Sequence, residues 1–200
     1  ASYWGKIMEP ILIEEFIRRT GLAVKTINSI LVHPEHSFML SNIDGIVIDP
    51  DRGKCVFEAK TANAFAKSEW DVGEVPPEYY LQLQHYLAVT GMPAAYIAVL
   101  IGGNKFMYKL IERDEDTIEM LIQLEAHFWF QVTTRSRPTL LDGSAAVSDF
   151  IDRLYSKSQK TSIILPADAD LLVQEYLAGK NAEEAAKTQK QAAENKLKDL

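Results

Sequence analysis

From residue 5 to residue 20 the apolar positions Ile7, Ile11, Leu12, Phe16 and Ile17 recur near helical spacing, and Thr20-Gly21 supplies a stop, so the chain opens on a helix. Pro10 lacks an amide hydrogen and is costly in a helix interior, which puts Glu9 at the very start of that helix or distorts its first turn. Residues 22–31 and 39–49 read as strands separated by the polar corner His33-Pro34-Glu35-His36. The turn-rich Pro50-Asp51-Arg52-Gly53 leads into a strand over 54–61. A loop over 61–77, carrying Trp70, Gly73, Pro76 and Pro77, precedes a helix over 77–90 that ends at Gly91. Strands over 94–101 and 106–111 flank Gly102-Gly103-Asn104, which has the composition of a hairpin turn and is not followed by a helix that could cradle a phosphate.

Residues 114–132 carry Ile118, Leu121, Ile122, Glu125, Phe128 and Trp129 along a strongly amphipathic helix capped by Arg113-Asp114, and its aromatic end is assigned to the core. Past Pro138 the composition changes. Asp142-Gly143 breaks the chain, residues 145–155 and 168–178 read as two helices, and the Ala-, Lys-, Glu- and Gln-rich stretch 181–200 reads as a solvated helix. The order helix, strands, helix, strands, helix is that of an α+β protein, a central mixed sheet flanked by helices. Residues 1–138 form its core and 139–200 a helical C-terminal extension.

Two hundred residues with 47% hydrophobic content suffice for one buried core. The first residues lack a cationic start followed by an apolar stretch, and no apolar run reaches the roughly 18 residues of a membrane span, so the expectation is a soluble protein. Cys55 is the only cysteine, which excludes an internal disulfide and makes a reducing cytoplasm the expected setting. The formal net charge of −7 argues against nonspecific coating of nucleic acid. It leaves room for a nuclease, because carboxylates that hold cations count as negative while the bound ions reverse the local sign.

The candidate chemistry centres on a hairpin. Side chains alternate along a strand, so Glu58 and Lys60 share one face, and Asp44 in the preceding strand is brought beside Glu58, giving two hard oxygen donors next to an ammonium. On the helix over 77–90, Gln82 and Tyr86 are four apart and face one side, whereas Gln84 lies about 160° away. None of His33, His36, His85 and His127 has zinc-type spacing with cysteine, and Asp49 and Asp51 read as turn residues.

In order, Gly5-Lys6-Ile7-Met8-Glu9, Ser41-Asn42-Ile43-Asp44-Gly45, Glu58-Ala59-Lys60 and Tyr79-Tyr80-Leu81-Gln82-Leu83-Gln84-His85-Tyr86 resemble the motifs of the PD-(D/E)xK nuclease superfamily. The branch they resemble most contains phage lambda exonuclease and the YqaJ-type viral recombinase nucleases. The resemblance covers about residues 5–130 and implies a restriction-endonuclease-like core. It implies a metal-dependent exonuclease acting on linear double-stranded DNA, 5′ to 3′, in phage-type recombination. Mg2+, with Mn2+ as a substitute, would be held by Asp44, Glu58, the Ala59 carbonyl and Glu9, with Lys60 and Gln82 as further catalytic residues and Tyr86 and Glu35 supporting the site or touching DNA. The implied partners are duplex DNA ends, a single-strand annealing protein and further copies of the chain in a homotrimer or other closed ring. The implied setting is the cytoplasm of a bacterial host, for a phage or prophage protein. Family members carry a further N-terminal stretch with a Gly-Ser-Asp-like motif, so this chain is expected to lack that segment. The alternatives are a Cas4-like or RecB-like nuclease, although one cysteine cannot hold the iron–sulfur cluster many of those carry, and a catalytically inactive DNA-end-binding module.

Overall fold

The computed structural model describes residues 2–64, 70, 75–136, 143–155, 162, 164–166 and 169–199. The chain divides into two units, Ala1–Thr139 and Leu140–Leu200. The first holds a mixed five-stranded sheet built from β1 (Ala23–Thr26), β4 (Gly45–Asp49), β5 (Gly53–Ala62), β6 (Ala94–Ile101) and β7 (Lys105–Glu112), in spatial order β1-β4-β5-β6-β7. β5 and β6 are parallel and the other pairs antiparallel. The parallel pair needs a crossover, and helix α2 (Pro77–Thr90) lies within it. Pro76 and Pro77 open α2, and Gly91, in the left-handed region at φ 67°, closes it with its N–H on the Leu87 carbonyl.

Alternation along β5 and β6 gives the sheet two apolar faces. Cys55, Phe57, Ala94, Tyr96 and Ala98 meet Ile13 and Phe16 of helix α1 (Ser2–Thr20). Val56, Ala95, Ile97, Val99 and Ile101 meet Leu83 and Leu87 of α2, Ile118 of helix α3 (Glu115–Thr134), and Trp70. Phe16 is fully buried, its ring centroid 5.0 Å from that of Phe57 and 5.4 Å from that of Tyr96. Burial of such a side chain contributes about 1.5–3 kcal/mol and fixes α1 on the sheet.

Several expectations need correction. The first helix begins at Ser2 and runs through Pro10, so Glu9 sits well inside it. An interior proline costs about 3 kcal/mol, offset here by burial of Leu12, Ile13 and Phe16 in the turns that follow. The strands expected over 22–31 and 39–49 are each divided. β1 stops where β4 begins, at Thr26↔Gly45, and a separate pair, β2 (Leu31–Val32) and β3 (Leu40–Ser41), forms its own ladder. Met39 and Ile43 are buried against the α2 side of the sheet, with Ile27, Leu31 and Phe38 packed on them, so their apolarity reflects a core contact and not strand alternation.

The aromatic end of α3 is not core. Phe128 and Phe130 are each 62% exposed and Trp129 46%, because the buried side of α3 ends about two turns before its C-terminus. Most of the loop over 61–77 lies outside the described residues, but Trp70 is 1% exposed and belongs to the core. In the second unit, α4 (Ala145–Leu154) is followed by one continuous helix, α5 (Ala169–Lys198), where two were expected. Gly179 costs about 1 kcal/mol in a helix interior, too little to break one flanked by strong helix formers. Among the described residues, no helix is long and apolar enough to cross a membrane.

Candidate active site

The β4–β5 hairpin positions the site. Its ladder runs from Asp49↔Gly53 to Gly45↔Phe57, and one further step sets Asp44 opposite Glu58. Asp44 itself precedes β4 and is not a strand residue as the sequence suggested: its Oδ2 accepts the Ala59 N–H at 2.8 Å, taking the place of the next ladder bond. The N–H and C=O of one strand residue point to the same edge, so the Ala59 carbonyl also faces the edge that β4 vacates. Gly45 is required for this arrangement, since a Cβ there would lie 2.9 Å from Val24 Cγ1 and 3.1 Å from the Lys25 carbonyl oxygen. At the other end of the hairpin Asp49 accepts the N–H groups of Asp51 and Arg52 and the Tyr96 hydroxyl, a turn anchor.

Glu58 is 4% exposed and on the α2 face. Its Oε1 accepts Lys60 Nζ at 2.5 Å and Gln82 Nε2 at 3.3 Å. Gln82 Nε2 also donates to the Tyr86 hydroxyl at 2.8 Å, so the helical spacing seen in the sequence becomes a direct contact. Lys60 Nζ lies 5.3 Å from the centre of the Tyr79 ring. Glu58 Oε2 is buried with no hydrogen-bond partner. Burial, the Asp44 charge and, more weakly, the Glu9 charge push the Glu58 carboxyl up to about 7, against the pull of Lys60. Asp44 is raised mainly by burial, and Glu9 by burial and then by the Asp44 charge. Three carboxylates from α1, the segment before β4, and β5 thus feel one another's charge.

A hard divalent cation fits these residues. The donors are all oxygen, one buried carboxylate oxygen lacks a partner, and the mutual repulsion is what a cation would relieve. Among the described residues, no three His, Cys, Asp or Glu side chains form a ready-made metal cluster, and Glu9 is coupled to the pair through its charge. Glu35 is exposed in the turn between β2 and β3, where its N–H donates to His33 Nδ1, and among the described residues no hydrogen bond or ion pair joins it to the carboxylates. His85 bridges Glu125 Oε1 and the Leu40 carbonyl, at 2.7 and 2.9 Å.

Gln84 was read from sequence as the glutamine facing away, and it is fully buried there. Its Nε2 donates to the Glu112 carbonyl and its Oε1 accepts the Asp114 N–H, clamping α2 to the β7–α3 junction. Gln84→Ala leaves two backbone groups without a partner and should cost about 1–3 kcal/mol in a urea melt. Gln82→Ala should cost little stability yet impair activity more than Gln84→Ala does at a temperature where both are folded. The reverse ranking would remove Gln82 from the site.

Every one of Glu9, Asp44, Glu58, Ala59, Lys60, Gln82 and Tyr86 falls within the stretch that matches a family model. Residues 1–93 match the YqaJ-like viral recombinase domain. The YqaJ-like match runs from α1 through α2, so β6, β7 and all that follows lie beyond it. The protein YqaJ of Bacillus subtilis strain 168, itself uncharacterized, is 37% identical over 201 residues, 99% of this chain and 62% of that protein. The chain therefore spans less than two thirds of that relative. Among solved structures, the alkaline exonuclease LHK-Exo of Laribacter hongkongensis is similar with a TM-score of 0.56 and 23% identity, over 78% of this chain and 73% of that one. Its complex with dAMP matches with the same TM-score and identity over 77% of this chain. At that identity the likeness establishes the fold alone, a mixed sheet flanked by helices.

Proposed function

We propose that this chain is a divalent-metal-dependent deoxyribonuclease that hydrolyses linear double-stranded DNA from its ends, degrading the 5′-ended strand in recombination of the phage type. The observation that carries the reading is Asp44 opposite Glu58 with Lys60 on the Glu58 carboxylate, beside a buried Glu58 oxygen that has no protein partner. The YqaJ-like match and the alkaline exonuclease fold support it.

Asp44, Glu58 and the Ala59 carbonyl would hold Mg2+, or Mn2+ in its place, with Glu9 orienting a second ion. When bound, such ions supply Lewis acidity and a water acidic enough to attack a phosphodiester near neutral pH. The protein's own groups do the rest. Lys60 sets a positive charge where a scissile phosphate oxygen gains negative charge. Gln82 holds Glu58 Oε1 with one N–H and the Tyr86 hydroxyl with its amide, which fixes the carboxylate's rotamer. The Ala59 N–H pins Asp44, leaving Oδ1 free to act as a ligand.

Partners follow from the same reading: duplex ends as substrate, an annealing protein for the 3′ single strand, and further copies of this chain closing a ring round the duplex. A ring would keep an acidic protein on DNA; light scattering of a monomer with release after each cut would remove it. Linear duplexes labelled separately at each 5′ and 3′ end, with Mg2+ and with chelator, test the activity. Mg2+-dependent loss of the 5′ label ahead of the 3′ label is expected. No loss from either end would sink the reading in favour of a DNA-end-binding module.

A further inference from the structure

We propose that Tyr79 is a positioning residue that holds the Lys60 ammonium in its working place through the face of its ring. The inference rests on the nuclease reading for the role of Lys60, but the contact does not. Lys60 carries three N–H donors on a flexible four-carbon stem, and one acceptor, Glu58 Oε1 at 2.5 Å, leaves the ammonium free to swing about that single bond. The Tyr79 ring centre lies 5.3 Å from Nζ, inside the roughly 6 Å range of a cation–π contact. The ring is itself braced: Trp70, 1% exposed, stacks on it with centroids 5.6 Å apart and planes 27° from parallel.

Tyr79 and Gln82 are three apart on α2 and so share a face. Helix α2 thereby reaches the ion pair twice, Gln82 on the carboxylate and Tyr79 on the ammonium. The ammonium stays on the carboxylate, 2.5 Å from Glu58 Oε1, and the ring adds a second attraction that limits its swing about that bond.

The test separates ring electrostatics from ring packing. Tyr79→Phe, successively fluorinated phenylalanines at the same position, and Tyr79→Leu are compared in the full chain. Fluorination keeps the shape of the ring while draining its negative face. Expected are a kcat for Tyr79→Phe within about twofold of the unsubstituted protein, a stepwise fall with each fluorine, and a loss of about tenfold for Tyr79→Leu with KM little changed. The Lys60 ε-methylene resonance, assigned by its disappearance in Lys60→Ala, gives a second readout that needs no cleavage: displaced by ring current in the unsubstituted protein and Tyr79→Phe, and returned to the position of an exposed lysine in Tyr79→Leu. A resonance that does not move in Tyr79→Leu, or a kcat that is flat across the fluorinated series, overturns the proposal. If the resonance behaves as expected while no variant, nor the unsubstituted protein, cuts DNA, the positioning contact stands and the nuclease reading falls.

Discussion

Lys60→Ala and Asp44→Ala are each expected to abolish cleavage of linear duplex DNA while leaving the protein folded. Removing one preorganised group that stabilises transition-state charge costs on the order of 10² to 10³ in rate, and both residues act at a polar edge and not in the apolar core. The two variants should differ in how they fail. Lys60→Ala removes the cation that pulls Glu58 downward, so the carboxyl titrates higher still and needs more alkaline solution to become a ligand. Asp44→Ala removes a proposed ligand and also strands the Ala59 N–H, which adds a stability loss of about 1–3 kcal/mol. Circular dichroism melts alongside single-turnover cleavage separate the two effects. Near-normal turnover by either purified variant would rule out the proposed site.

Glu58→Gln should be inactive and yet, without metal, more stable than the unsubstituted protein at pH 8. The Glu58 carboxyl rises from 4.5 to about 7 on folding. A raised carboxyl binds its proton more tightly in the folded state, so the stability it contributes is present below pH 4.5 and is lost as pH climbs through about 7. At pH 8 the ionised, buried group leaves the fold weaker by on the order of 3 kcal/mol than it was at low pH. Glutamine cannot ionise and escapes that loss. In chelator, urea melts should therefore show the Glu58→Gln advantage at pH 8 shrinking toward zero near pH 4.5. Mg2+ should stabilise the unsubstituted protein and do little for the variant. An advantage of the same size at both pH values would mean that Glu58 is not the strained carboxylate described above.

Much of this was legible in the sequence wherever one local rule acted alone. Gly91 after a periodic apolar stretch marked the end of α2, Gly102-Gly103-Asn104 marked the β6–β7 turn, and Asp114 marked the cap of α3, whose Oδ1 accepts the Thr117 N–H. Strand alternation put Glu58 and Lys60 on one face, and helix spacing put Gln82 with Tyr86. The misreadings came where tertiary contacts overrode a local pattern. Met39 and Ile43 look like strand residues but are buried between turns, and Phe128 and Phe130 look like core but lie past the end of what α3 packs on. Gln84 and Tyr79 carried no signal of their own in a single sequence. A buried glutamine and a solvated one are spelled alike, and the partners of both residues are far along the chain or across the sheet.

The central claim, that Asp44 and Glu58 together hold the ion that makes this protein a nuclease, is tested most directly by titrating Mn2+ and following free Mn2+ by electron paramagnetic resonance at pH 8. The unsubstituted protein should sequester Mn2+, and Asp44→Ala combined with Glu58→Gln should leave it free. Undiminished Mn2+ binding by the folded double variant would contradict the account.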